Sequence, residues 1–112
     1  MEITTSTHGK VCVVAASGRV DSFTAPRLSE AFQAQLDHQN FWLVFDMTDI
    51  DYVSSAGLRV MIDVQKACLK DDRGELVLVN VQRRIYETLE LAGFVVLFKF
   101  FDSVEHALSY FE

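Results

Sequence analysis

Six of the seven residues from Phe41 to Met47 (Phe-Trp-Leu-Val-Phe-Asp-Met) are apolar, and they run almost without interruption. A strand with one wet face alternates apolar and polar side chains, whereas a strand buried on both faces reads as a continuous apolar run. Burial on both faces is the habit of parallel sheets, and parallel neighbours need helical crossovers. This one segment therefore predicts an α/β chain whose sheet is covered by helices.

The flanking sequence supplies those elements in order. Ile3 to Thr7, a turn at His8-Gly9 and Val11 to Ala16 read as an N-terminal hairpin, closed by Gly18-Arg19-Val20-Asp21. Thr24 is a helix cap with Pro26 in the first turn, and Leu28, Ala31, Phe32 and Leu36 follow at helical spacing up to a stop at Asn40. After Met47, the Thr48 to Val53 stretch reads as a loop with solvated Asp49 and Asp51. Val60, Met61, Val64, Ala67 and Cys68 form the apolar stripe of a second helix. Asp71 to Gly74 turns the chain into a strand at Glu75 to Asn80. Ile85, Leu89 and Ala92 mark a third helix ended by Gly93. Phe94 to Phe101 reads as a last strand, and Asp102-x-x-Glu105 as the capped start of a final helix.

With 112 residues, half of them hydrophobic, 23% charged and only six Pro plus Gly, the chain can bury a core without metal or disulfide staples. No linker or repeat interrupts it, so residues 1–112 are expected to form one domain. Sixteen acidic residues against ten basic ones leave a formal charge of −6. That balance excludes the positive footprint needed for nucleic acid or for anionic lipid. Cys12 and Cys68 make no C-x-x-C pair and read as buried thiols of a reduced compartment. No secretory leader is visible at Met1 to Thr5, and Phe94 to Phe101 is too short to span a bilayer. A cytoplasmic location without membrane attachment is expected.

Most catalytic templates fail. Neither G-x-x-x-x-G-K-[ST] nor G-x-G-x-x-G occurs. Ser55 has Gly57 after it but Val53 where a nucleophile elbow needs glycine, and no general base is apparent. His8, His38 and His106 are isolated from other metal ligands, and Asp46, Asp49 and Asp51 lack the rest of a calcium loop. Arg83-Arg84 is a lone basic pair at a helix start. The expectation is a protein that is not an enzyme and needs no metal or cofactor.

One segment stands apart, Asp49-Ile50-Asp51-Tyr52-Val53-Ser54-Ser55-Ala56-Gly57-Leu58-Arg59-Val60. In one reading Ser54 and Ser55 are simple helix caps and Gly57 is incidental. In the other, a serine at a helix start lies beside unpaired backbone N–H groups and the positive end of the helix dipole. A phosphate is electrostatically welcome there, and Ala56-Gly57 leaves a partner room to approach.

Val53-Ser54-Ser55-Ala56-Gly57-Leu58 resembles the phosphorylation segment of STAS-domain anti-sigma factor antagonists. Three further stretches resemble the same family at consistent separations: Gly18-Arg19-Val20-Asp21 with Thr24-Ala25, the strand Phe41 to Met47, and Leu89-Glu90-Leu91-Ala92-Gly93-Phe94. Many members carry Asp-Ser-Ser/Thr-Gly. Matching on Gly57 sets Ser54 at the Asp position and Ser55 at the phosphoacceptor, with Ser54 as the fallback.

The resemblance implies the STAS fold, a mixed four- to five-stranded sheet with about four helices mainly on one face. It implies a binding switch in a partner-switching pathway. The unphosphorylated form would bind an anti-sigma factor that is also a serine-protein kinase, releasing a sigma factor or equivalent regulator. A PP2C-type phosphatase would reset it. The alternative is a non-phosphorylated STAS subunit of a scaffold or lipid-transport complex. Asp21 is expected at the same end of the sheet as Ser55. The partner-binding surface is expected to comprise Asp21, Ser22, Phe23, Tyr52, Val53, Ser54, Ala56, Gly57 and Leu58. Leu58 lies outside the apolar stripe in this reading, so it or Phe23 is expected to be exposed.

Overall fold

A computed structural model describes residues 1–112. Its elements are β1 (Ile3–His8), β2 (Val11–Val20), α1 (Ala25–Asp37), β3 (Trp42–Val53), α2 (Ser55–Leu69), β4 (Glu75–Val79), α3 (Arg83–Leu91), β5 (Phe100–Phe101) and α4 (Val104–Tyr110). Short 3-10 turns occur at Lys70–Asp72 and Val95–Leu97. The five strands lie in chain order, β1 antiparallel to β2 and every later pair parallel. The mixed sheet and its four helices are those expected.

The three crossovers α1, α2 and α3 all pack on one face, because successive parallel strands in one direction place right-handed crossovers on the same side. Their core gathers Leu28 and Phe32 of α1, Met61 and Cys68 of α2, and Ile85 and Leu89 of α3 over Cys12, Val14, Leu43, Phe45, Leu76 and Leu78. Phe32 meets Phe45 edge to face at 5.2 Å between ring centres. On the other face α4 lays Ala107 over Val44, Val77 and Val79, and Trp42 stacks on Phe111 at 5.7 Å. The continuous apolar run of β3 is therefore covered from both sides. Cys12 and Cys68 are free and buried, and burial pushes the Cys68 thiol up to about 12.

The structure corrects several sequence expectations. Thr48 to Val53 is not a loop: β3 continues to Val53, pairing with Ser17 to Val20 across two register shifts. A left-handed Gly18 (φ +91°) lies at the second shift. Ile50 and Val53 point into the core while Asp49, Asp51 and Tyr52 face solvent. Phe94 to Phe101 is mostly not a strand. Only Phe100 and Phe101 pair, with Leu78 and Val79, and Val95 to Leu97 coil into a turn.

The edge of β4 left open by that short pairing is closed by a side chain. Buried Gln65 of α2 accepts from the Leu76 N–H at 2.8 Å and donates to the carbonyls of Leu76 and Leu97 at 3.0 and 2.7 Å. Two caps also differ. Ser103, not Asp102, caps α4 by accepting from His106 N–H at 3.1 Å. At the end of α1, Gln39 rather than Asn40 takes the left-handed stop.

Candidate functional site

Residue types at the C-terminal ends of β2 and β3 decide the geometry of the site. Val20 pairs with Val53, and the N–H of Ser54 donates to the Val20 carbonyl at 2.8 Å. The loop after β2 and the start of α2 therefore emerge side by side, at one end of the sheet. Asp21 and Ser55 share that end, as the sequence reading expects.

Asp21 organises its own loop. Its Oδ1 accepts from the backbone N–H groups of Phe23 at 2.9 Å and Thr24 at 3.1 Å. Thr24 Oγ1 accepts from Asp21 N–H at 2.9 Å and donates to the Arg19 carbonyl at 2.7 Å. Thr24 is thus no side-chain cap for α1, a correction: its hydroxyl turns back onto Asp21 and Arg19, and the Asp21 carboxylate ties the turn before the helix. The first helical N–H, that of Ala25, donates to the Asp21 carbonyl at 2.8 Å. The two amides, Phe23 first, hold the Asp21 carboxyl below the usual range, helped least by Arg19. The tight turn leaves Phe23 with nothing to pack against, and 88% of it is exposed. Ser22 is exposed beside it.

At the start of α2 the two serines have different jobs. Ser54 is extended (φ −83°, ψ 176°), and its hydroxyl accepts from Gly57 N–H at 3.4 Å. Ser54 is the cap. Ser55 is the first helical residue, exposed, and its hydroxyl makes no hydrogen bond within the chain. The cap reading of the serines holds for one of them only.

Gly57 is neither incidental nor an opening for a partner. A Cβ there would come within 2.6 Å of Val20 Cγ1 and 2.8 Å of Val53 Cγ1. The helix start presses directly on the paired valines, and only glycine permits it. Leu58 is 8% exposed and Val53 7%, both in the main core. The expectation that Leu58 sits on an exposed patch is therefore wrong. Leu58, Met61, Gln65 and Cys68 share one buried stripe of α2, and the polar Gln65 disguises it in the sequence. The expectation that Leu58 or Phe23 is exposed is met, by Phe23 and not by Leu58. Tyr52 is 42% exposed, and Ala56 is half-buried against the core.

Beside the same strand end lies a cleft of about 460 Å³ between β3 and α3, lined by Arg19, Asp51, Tyr52, Arg84 and Thr88 among others. The Arg19 guanidinium lies over the Tyr52 ring at 4.2 Å. These two face each other because the shifted register sets Arg19 opposite Tyr52. Sequence reasoning gave Arg19 and Arg84 no role, since a bulge-dependent register leaves no periodic signal. The accessible part of the site is thus Asp21, Ser22, Phe23, Tyr52 and Ser55. Val53, Gly57 and Leu58 form the buried base beneath it.

Comparison with known proteins adds to this geometry. The STAS domain family model matches residues 2–107. BtrV of Bordetella bronchiseptica, which bears the name of an anti-sigma factor antagonist, is 34% identical over 112 residues, covering 100% of this chain and 96% of that one. The anti-sigma-B factor antagonist of Listeria monocytogenes is 31% identical over 77 residues, covering 69% of this chain and 67% of its own. The crystal structure of an anti-sigma factor antagonist from Mycobacterium paratuberculosis superposes with a TM-score of 0.86 at 23% identity, over 97% of this chain and 92% of that one.

Proposed function

Since the chain belongs to the STAS domain family, we propose that it is an anti-sigma factor antagonist whose binding is controlled by phosphorylation of Ser55. The carrying observation is the division of labour at the start of α2. Ser54 holds the helix end, and Ser55 stands exposed with a hydroxyl free of internal bonds. Modifying Ser54 would remove a cap; modifying Ser55 removes nothing. That supports Ser55 over Ser54 as the acceptor.

The mechanism is differential binding, not catalysis by this chain. In the unphosphorylated form the exposed Phe23, Tyr52 and Ser55 dock on an anti-sigma factor that doubles as a serine kinase, and the regulator it held is released. The kinase then moves the γ-phosphoryl group of ATP to Ser55 Oγ; the O–H bond breaks, its proton goes to a base on the kinase, and ADP leaves. The phosphate brings about 1.5 to 2 negative charges to the centre of the contact. Loss of about 1.4 kcal/mol there already weakens binding tenfold. A PP2C-type phosphatase hydrolyses the ester and restores the binding form. No helix in the chain is long and apolar enough to cross a membrane, and the proposed reading sets the exchange of partners in the cytoplasm.

Mass analysis after incubation with the cognate anti-sigma factor kinase and ATP tests the reading. One phosphate on the wild type and none on Ser55→Ala is the expected result. A Ser55→Ala protein still phosphorylated at Ser54 would move the switch by one residue. A wild type that binds no anti-sigma factor would favour the scaffold alternative.

A further inference from the structure

One charged pair lies directly below Ser55 on its own helix. Arg59, 78% exposed, brings Nε to 3.3 Å from Asp63 Oδ2, which is 57% exposed. Positions 55, 59 and 63 succeed one another at i, i+4 intervals on α2, so each is a neighbour of the next along one face. Ser55 contributes only an unbonded hydroxyl to this row.

The orientation of the existing pair is the poorer one. Helical ion pairs are stronger when the acid is N-terminal to the base at i, i+4 than in the reverse order. Arg59 and Asp63 have the reverse order. A phosphate on Ser55 would stand N-terminal to Arg59, with about twice the charge of Asp63 and three acceptor oxygens suited to a guanidinium fork. Both residues are exposed enough to turn without disturbing the core.

From this we infer that Arg59 is the residue that receives the phosphate: on modification of Ser55 it leaves Asp63 and pairs with the phosphoryl oxygens. The inference rests on Ser55 being the acceptor. It adds a specific role for Arg59 as a positioning residue, which pins the phosphate along the helix surface. The exchange also uncovers Asp63, which is left as an unpaired negative charge two turns along the helix from the phosphate.

The test uses the chain with phosphoserine genetically encoded at position 55, so no kinase is needed. The phosphorus resonance is followed against pH to obtain the second ionisation of the phosphate. Arg59→Gln keeps an unbranched polar side chain, shorter than arginine, and removes the charge, and its second ionisation should lie higher than that of the wild type by about 0.3 unit or more. Asp63→Asn frees Arg59 and should lower it below the wild-type value. Asp21 and Asp51, the carboxylates of the neighbouring loop and strand end, are common to all variants, so the differences report Arg59. Equal values in wild type and Arg59→Gln would overturn the inference. An Asp63→Asn value equal to wild type would overturn the exchange with Asp63. Absence of kinase modification at Ser55 would defeat the function proposed above, a result separate from both.

Discussion

The N–H of Ser54 donates to the carbonyl of Val20 across 2.8 Å, and this single backbone bond joins the two loops of the site. It continues the β2–β3 pairing one residue beyond the strands, so the Asp21 turn and the start of α2 are parts of one rigid end. Everything exposed there is displayed on a base of packed valines. A flexible loop bearing a serine would have to be ordered on binding; this one is ordered beforehand.

Gly57→Ala tests that base. A methyl group at Gly57 runs into Val20 and Val53, both in the paired strand ends. Overpacking of this kind costs about 1–3 kcal/mol. Urea unfolding should show that loss. A Gly57→Ala protein as stable as the wild type would mean that α2 can lift away from the sheet freely.

The two serines should separate in the same measurement. Ser54→Ala removes the hydroxyl that caps α2 and should cost about 1 kcal/mol. Ser55→Ala removes a hydroxyl with no internal partner, so its stability should stay within about 0.5 kcal/mol of the wild type. A reversed order would show that Ser55 is the structural serine.

Gln65→Leu should be among the most damaging single changes. Leucine matches the apolar surroundings but leaves the Leu76 N–H and the Leu76 and Leu97 carbonyls without partners. A buried unsatisfied group costs about 1–3 kcal/mol. A loss of about 3 kcal/mol or more is expected by urea unfolding, together with faster hydrogen exchange at Leu76.

Asp21 makes the fold sensitive to acid in a defined sense. Its carboxyl is held below the ordinary 3.8, so the native state favours the ionised form more than the unfolded chain does. This contribution is complete above pH 3.8 and disappears as pH falls through the lower native value. NMR titration should find Asp21 ionising below 3.8 in the native protein. Asp21→Asn should lose that pH dependence while the Phe23 and Thr24 amides keep an acceptor. A native value at or above 3.8 would contradict the hydrogen bonding of the Asp21 turn.

Much of this was readable before the structure. The continuous run at β3 and the stripes of Leu28-Phe32 and Ile85-Leu89 led directly to a covered parallel sheet, because periodicity reports which faces are buried. The same reasoning failed where pairing depended on distant residues. Thr48 to Val53 looks like a loop until the shifts near Gly18 bring β2 alongside it. Phe94 to Phe101 is apolar enough for a strand, but Gln65 already closes the edge such a strand would occupy. The site divided likewise. The local sequence set Ser54 and Ser55 at a helix start and left their roles open, and the choice of Ser55 as phosphoacceptor came from the family resemblance. Leu58 was misplaced because buried Gln65 interrupts the stripe that contains it.

Phe23 and Leu58 now make opposite predictions. Phe23 is 88% exposed on a turn fixed by Asp21, so truncation leaves no cavity and should leave stability unchanged. If it is the apolar anchor of the proposed complex, Phe23→Ala should weaken anti-sigma factor binding tenfold or more, about 1.4 kcal/mol or greater. Leu58 lies in the core, where losing three carbons should cost about 2–5 kcal/mol of folding free energy. Provided the Leu58→Ala protein is measured below its unfolding transition, its affinity should stay close to that of the wild type. Calorimetric titration paired with urea unfolding reads both quantities on both variants. Phe23→Ala binding as tightly as wild type, or Leu58→Ala losing affinity while keeping its stability, would move the contact off the Asp21 turn and onto α2 itself.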